Sequence, residues 1–528
     1  MWDICAGGPE AVVESALLMG MLSPEMLSLP PDGCAAPALQ VACGNGGSFG
    51  SLLKPAAVPS KVVSVDPLPR SMESAKKRQK VEFRPDTETY DFDMFIIALL
   101  KAMGLRRVPG KPTLRLATAC SGSGIVSFVL QALLGNEFVE LFASEQLAVA
   151  ALFLMCHVCP KHIFMNSKST VVPGQRAPCY LHHGSACKVP KDPQDVCVIG
   201  FSCKPYCKRH PRRWIEDPIK APGESNDVDT YYDCHRHLVN HRPDVWVLEN
   251  LDDLDLDRAP GLGTVLDFIL HDNVWGLKRI QGYTVEIVRT TGLLAAIPQQ
   301  RKRILFFGSK THIGDAQELV NLFEKAQSMC GKPFHAKSFL QSDPGSAARD
   351  DQNVNQSKTL WWDAEYAKHF AAIFDRCVKA KHLSTDCVLS PKVDRPSQSC
   401  PKGQITAWQA ANLDLCAEIV KHRDPLQEAA TTTCAIGDIS QCASRAPLYY
   451  DGVAPTLTTN CDLFLFEPKP GRWVSQETLF AMMGFPVNRL NLTFLRGPAG
   501  KTLVGNGICA PTMACAMIAC LTKLGYYQ

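Results

Sequence analysis

The chain has 528 residues, 46% of them hydrophobic, and a formal net charge of +3. That length and apolar share can bury a substantial core, which excludes a short disulfide scaffold, and so small a charge points by itself to no class of partner. The 23 cysteines are scattered and the first lysine is Lys54, so no charged leader is expected and the thiols read as reduced and intracellular.

Residues 1–88 are rich in Pro, Gly, Ala and Ser with weak periodicity, the pattern of a flexible extension. Its apolar run from Ala11 is broken by Glu14 and is too short to span a bilayer, so no membrane partner is expected. The basic run "KKRQK", Lys76 to Lys80, fits a nuclear import signal or a solvated linker equally. From Tyr90, "DFDMFIIALLKAMG" has helical spacing and stops at Gly104. "TLRLATACSGSG" then reads as a buried strand entering a glycine-rich turn, "IVSFVLQALLG" as a helix, and "VELFASE" as a strand ending in Glu145. "DVCVIGF" and "DVWVLEN" are further strands. Strands that alternate with helices and end in polar residues predict a doubly wound, mainly parallel α/β sheet with its site at the strands' carboxyl ends.

Several of those ends carry chemistry. The turn Cys120 to Gly124 would let a ligand approach the backbone at a helix N-terminus, and Glu145 ends the next strand, where such folds bond ribose hydroxyls. The turn lacks the spacing of the dinucleotide fingerprint, which disfavours a dehydrogenase. Most cysteines read as inert small hydrophobes, but Cys203 lies just past a strand end. Lys204, Lys208, Arg209, His210, Arg212 and Arg213 follow it without an acid, a setting that favours a nucleophilic thiolate and can neutralise phosphates. Glu249 and Asn250 end another buried strand, and a strand-end Glu can donate a proton if its pKa is raised. In "IPQQRKRILFFG", Arg301 and Arg303 share a face if the strand begins that early.

No structural metal is expected. Cys156, Cys159 and His162 in "CHVCPKH" read as one face of a continuing helix, and the cysteines at 330, 377, 387, 400, 416, 434 and 442 lack paired metal spacing. "WWDAEYAKHFAAIF" reads as an amphipathic helix whose aromatics serve a core.

In order, these segments resemble the cytosine 5-methyltransferase family, from about Leu114 to the end apart from a long middle insert. "CSGSG" looks like its cofactor motif and Glu145 its ribose-binding acid; "GFSCKPYC" resembles "GFPCQPFS", "LEN" resembles "ENV", and "PQQRKR" resembles "PQxRxR". "RAPLYYDGVAPTLTT", "ETLFAMMGFP" and "VGNGICAP" are similar to its last motifs. The resemblance implies a Rossmann-like catalytic domain over 89–308, a smaller irregular target-recognition insert over 309–444, and closing motifs over 445–528. It implies S-adenosyl-L-methionine as cofactor, held by Cys120, Ser121, Gly122, Gly124, Glu145, Ser185 and Asn506. Cys203 would add to carbon 6 of a flipped cytosine, Glu249 would contact the ring nitrogen and exocyclic amine, Arg303 the carbonyl oxygen, and Arg301 would support the loop. The stretch Lys204 to Arg213 would close over the base. Duplex DNA is the expected substrate and the nucleus the expected location; structured RNA such as transfer RNA, or nucleic-acid binding without turnover, is the alternative. Three positions depart from the family: Ser202 stands for its proline, Lys204 for its glutamine, and Ser185 for the acid that receives the adenine amine.

Overall fold

The computed structural model describes residues 82–85, 87–207, 217–255, 257–258, 262–340, 358–400, 405–422, 434–450, 452–467, 471–495 and 498–528. Lys76 to Lys80, nearly all of the 1–88 extension and Lys208 to Arg213 lie outside the described residues.

Helix α1 (Phe92–Met103) starts where the Asp91 side chain accepts from the Met94 amide and ends at left-handed Gly104. Its buried stripe is Phe92, Phe95, Ile96, Leu99 and Met103, the three-and-four spacing of one helical face. The chain then runs through β1 (Leu114–Ala119), α2 (Ile125–Leu134), β2 (Phe138–Ser144), α3 (Ala148–His157), β3 (Ile163–Phe164), a small hairpin of β4 (Arg176–Pro178) and β5 (Ala186–Lys188), and β6 (Val196–Ile199). After it come α4 (Asn226–His241), β7 (Val245–Leu251), α5 (Val265–His271), β8 (Tyr283–Thr290), β9 (Arg303–Lys310) and α6 (Ala316–Met329).

Seven strands form one sheet in the order β3-β2-β1-β6-β7-β9-β8. Every neighbouring pair from β3 to β7 is parallel, and β9 runs antiparallel to both its neighbours. Burial on both faces explains the unbroken apolar runs. Val196 and Val198 join the cluster that includes α1, α2 and α6, whereas Cys197 and Ile199 face the one that includes α4 and α5. From β1 the chain goes outward to β2 and β3, then crosses back to β6 on the other side. That reversal opens a crevice beyond the carboxyl ends of β1 and β6.

A separate core is built from α7 (Lys358–Lys379), α8 (Ala407–Lys421) and an antiparallel sheet in the order β11-β10-β12-β13, comprising β10 (Ala435–Asp438), β11 (Leu448–Tyr450), β12 (Leu463–Glu467) and β13 (Arg472–Trp473). Here Trp362 stacks on Tyr366, whose hydroxyl donates to buried Asp414 at 2.6 Å, so these α7 aromatics serve the core as their spacing predicts. The span 309–444 is divided by packing: Leu319, Val320, Phe323 and Ala326 of α6 belong to the main core, and the second core begins at α7. The chain closes with α9 (Gln476–Met482), α10 (Ala499–Asn506) and α11 (Ala510–Lys523). Among the described residues no single helix is long and apolar enough to cross a membrane; α10 and α11 pass such a test only as a pair bent by 43°, and α11 is buried from Ala510 to Leu521.

Candidate active site

Beyond β1 the backbone turns through left-handed Cys120 (φ 49°), Gly122 (φ 55°) and Gly124 (φ 65°). A Cβ on Gly124 would stand 2.6 Å from Leu154 and 2.8 Å from Val158, so the packing of α3 demands glycine there. A Cβ on Gly122 would meet nothing within 4 Å, which leaves its face open to a ligand. Glu145 is buried and fastened to this turn: its carboxylate accepts from the Gly122 amide at 2.7 Å and the Leu147 amide at 2.9 Å. Burial pushes its pKa up, against those amide bonds. Ser123 Oγ is buried without a hydrogen-bond partner among the described residues.

Below the turn lies a group that sequence reasoning missed. Glu140, inside β2, accepts from Thr118 Oγ1 at 2.6 Å and Ser127 Oγ at 2.7 Å, and Thr118 Oγ1 in turn is 2.7 Å from Ser121 Oγ. Burial pushes Glu140 up to about 7 despite both hydroxyls. The signal in the sequence was a single acid inside an apolar run.

Past β6, the Cys203 turn is held from two sides. Asn250, buried at the end of β7, donates to the Phe201 carbonyl at 3.0 Å. On α4, Thr230 Oγ1 accepts from the Ser202 amide at 2.9 Å, and Asp227 accepts from Ser202 Oγ at 2.9 Å. Lys204 reaches the same Asp227 carboxylate at 3.4 Å. The two departures at 202 and 204 thus share one anchor, a pair of contacts standing where a proline would impose rigidity through its ring.

Burial chiefly, and then Glu249, push the Cys203 thiol up, while Arg303 pulls it down. Of the flanking cations on which the sequence expectation rests, only Lys204 lies among the described residues. Lys204 is 77% exposed and engaged by Asp227; among the described residues it is Arg303 that favours the thiolate. Arg303 Nε is 2.5 Å from Glu249 Oε1, with both side chains largely buried. The register explains the pair: Glu249 faces Leu305 across β7 and β9, which puts Arg303, two residues on, diagonally beside it on the same face. The other Glu249 oxygen lies 3.5 Å from where a Cβ on Gly200 would stand, and the Cys120 carbonyl 3.7 Å from that point. The cysteine turn and the glycine turn are therefore neighbours.

Arg301 precedes β9, which begins at Arg303, so strand alternation does not pair the two arginines. Buried Arg301 donates instead to the carbonyls of Leu457 at 2.6 Å, Gly505 at 2.7 Å and Gly507 at 2.5 Å. Burial pulls it down to about 9. Gln299, also buried, donates to the Met482 carbonyl at 2.8 Å. A Cβ on Gly505 would sit 2.3 Å from the Thr459 amide nitrogen, and one on Gly507 3.5 Å from Ser123 Oγ, so "VGNG" packs on "TLTT" and returns to the first turn. Asn506 is exposed at the end of α10. Ser185 is exposed in the turn before β5, where its backbone bonds Cys179 and His182; among the described residues no hydrogen bond from its side chain reaches Glu145 or the glycine turn. From that arm it is Tyr180 that lies near Glu145: burial, then the charge of Glu145, push its phenol up.

No family model matches the chain. Among solved structures it is similar to the S. pombe Dnmt2 methyltransferase (12% identity, TM-score 0.37) and to a putative DNA modification methyltransferase encoded within an E. coli prophage (14%, 0.40); each likeness covers 78% of this chain and 99% of the other. Over 508 residues, 89% of this chain, it is 23% identical to the DNA (cytosine-5-)-methyltransferase DMT5 of Cryptococcus neoformans var. grubii. Along most of its own length the chain thus resembles a cytosine-5 methyltransferase. It spans 20% of the length of that fungal relative. Cys203, Glu249, Arg303 and the glycine turn stand together in the crevice, and Arg301 fastens the segments around Leu457, Gly505 and Gly507.

Proposed function

We propose that this chain transfers a methyl group from S-adenosyl-L-methionine to carbon 5 of cytosine in DNA. The observation that carries the reading is the meeting of Cys203 with the Glu249–Arg303 pair beside the glycine turn. The name of the fungal relative favours DNA over RNA.

The first turn fits such a cofactor. Gly122 presents an open face, Ser123 Oγ is buried with no hydrogen-bond partner among the described residues, and the Glu145 carboxylate, fastened to the turn, is an acceptor for a ribose hydroxyl. Cys120, Ser121, Gly122, Gly124, Glu145 and Asn506 would line that site, Ser185 is the further residue that the motif order assigns to it, and Tyr180 stands in its neighbourhood. When bound, the cofactor supplies an electrophilic methyl group.

The target base must leave its stack to reach Cys203. Carbon 5 of cytosine is a poor nucleophile until the Cys203 thiolate adds to carbon 6. Arg303 favours that thiolate in the free protein and would then hold the base's carbonyl oxygen. Glu249, taking up a proton as the base binds, would donate it to the ring nitrogen and accept from the exocyclic amine, offsetting the negative charge that grows as sulfur adds. Until a base arrives the two neutralise each other, so neither stands as an unpaired buried charge. After transfer, loss of the carbon 5 proton and expulsion of the thiolate restore the ring and the enzyme.

The test is transfer of labelled methyl to duplex DNA and, separately, to transfer RNA, by wild type and Cys203→Ala. Label in DNA that falls at least about 1,000-fold in the variant is expected. Label in transfer RNA alone would overturn the substrate, and no label from folded wild type would leave a nucleic-acid-binding relative. A DNA substrate also implies nuclear residence in a nucleated cell; a fluorescent fusion excluded from the nucleus would refute that.

A further inference from the structure

The segment between α3 and β6 gathers four side chains that the methyl-transfer reading does not use. Helix α3 ends at His157, with Val158 at its C-cap, and Cys159 adopts φ 52°. The expectation of a helix continuing through "CHVCPKH" is therefore wrong, and its physical cause is that left-handed residue, which redirects the chain into edge strand β3. Cys159 stays exposed, its thiol turned back to the Met155 carbonyl, while His162 leaves the helix face altogether. Phe164 pairs with Cys179 in an isolated bridge, a short helical turn carries the chain to His182, and left-handed His183 and Gly184 swing it into β5 and Cys187.

One ligand atom from each of His162, Cys179, His182 and Cys187 lies within 4.8 Å of all the others. His182 Nδ1 is 3.2 Å from Cys179 Sγ, and the His162 and His182 rings are 5.3 Å apart. Cys179 is fully buried. His162 Nδ1 is buried with no hydrogen-bond partner among the described residues. Two thiols and two imidazoles converging on one point, with a ring nitrogen otherwise unsatisfied, match the donor set of a closed tetrahedral site.

We propose that His162, Cys179, His182 and Cys187 bind a structural zinc ion. Zn–S bonds of about 2.3 Å and Zn–N bonds of about 2.0 Å set ligand atoms roughly 3.3–3.8 Å apart, so small side-chain rotations close the observed cluster. Binding releases the two thiol protons to solvent and involves no electron transfer. The ion clips the 176–188 arm onto the two-residue edge strand β3, whose free edge is otherwise covered by little backbone pairing. The same arm bears Tyr180 next to Glu145, so the clip also steadies one wall of the crevice; that consequence, unlike the metal site itself, rests on the methyl-transfer reading.

The experiment is elemental analysis of the full chain purified from zinc-supplemented cells, followed by chelator stripping and titration with cobalt(II). Wild type should carry about one zinc per chain and, after stripping, give the intense visible bands of tetrahedral cobalt with sulfur-to-metal charge transfer. Cys187→Ser and His182→Ala should lose that equivalent. Cys159→Ser should keep it, as should Cys387→Ser, which alters a second trio (Cys387, Glu418, His422) that offers only three ligands. Because a ligand variant can fail to fold, the cobalt spectrum of wild type decides independently. Less than roughly a tenth of an equivalent with no cobalt bands, metal retained in folded Cys187→Ser, or an intact-mass deficit showing a Cys179–Cys187 disulfide in freshly reduced protein would each overturn the proposal.

Discussion

Glu140 makes the stability of this fold depend on pH in a direction opposite to that of most carboxylates. Its pKa rises from an ordinary 4.5 to about 7 on folding, because burial disfavours the charged form more than Thr118 and Ser127 favour it. The folded state therefore binds the proton more tightly than the unfolded state. Stability from this group is fully present below about pH 4.5 and is lost as pH rises towards 7, above which no more is lost. A shift of about 2.5 units corresponds to about 3 kcal/mol, an upper bound since relaxation or water entry would reduce it. Glu140→Gln keeps the shape and a carbonyl to accept one hydroxyl bond while deleting the titration. Urea unfolding followed at pH 5 and pH 8 should show wild type losing stability relative to the variant by up to that amount. Glu145, Asp233 and Asp414 are raised by burial in the same direction, so it is the difference between the two proteins that isolates Glu140. Parallel pH profiles for wild type and Glu140→Gln would refute the reasoning.

Two further outcomes follow from the site. Asp227→Ala frees Ser202 and Lys204 together and should lower kcat about 10-fold with little effect on unfolding by urea, since it loosens the Cys203 turn without touching the core; an unchanged kcat would show that Asn250 and Thr230 suffice. Arg301→Lys cannot satisfy the carbonyls of Leu457, Gly505 and Gly507 at once, and should cost about 3 kcal/mol in urea unfolding, because buried acceptors lose charged partners.

The sequence by itself determined the strands and what stands at their ends. Apolar runs such as "VCVI" must be buried on both faces, and the residues at or past their ends, Cys120, Glu145, Cys203 and Glu249, must then emerge at one edge of the sheet. That logic is local, which is why it could be read. Contacts between distant segments were another matter. Arg301 and Arg303 look equivalent two residues apart, yet one reaches across to residues 457, 505 and 507 and the other turns to Glu249. Arg303, about 100 residues from Cys203 along the chain, was not legible as a cation that favours its thiolate, because separation along the chain does not measure distance to a sulfur. Glu140 carried no motif, and its perturbation comes wholly from what covers it. His162, Cys179, His182 and Cys187 have no paired spacing, and only the left-handed turns at Cys159, His183 and Gly184 bring them to one point. Periodicity records which face of an element is buried, whereas the partner across that face is chosen by packing between segments whose separation no local pattern encodes.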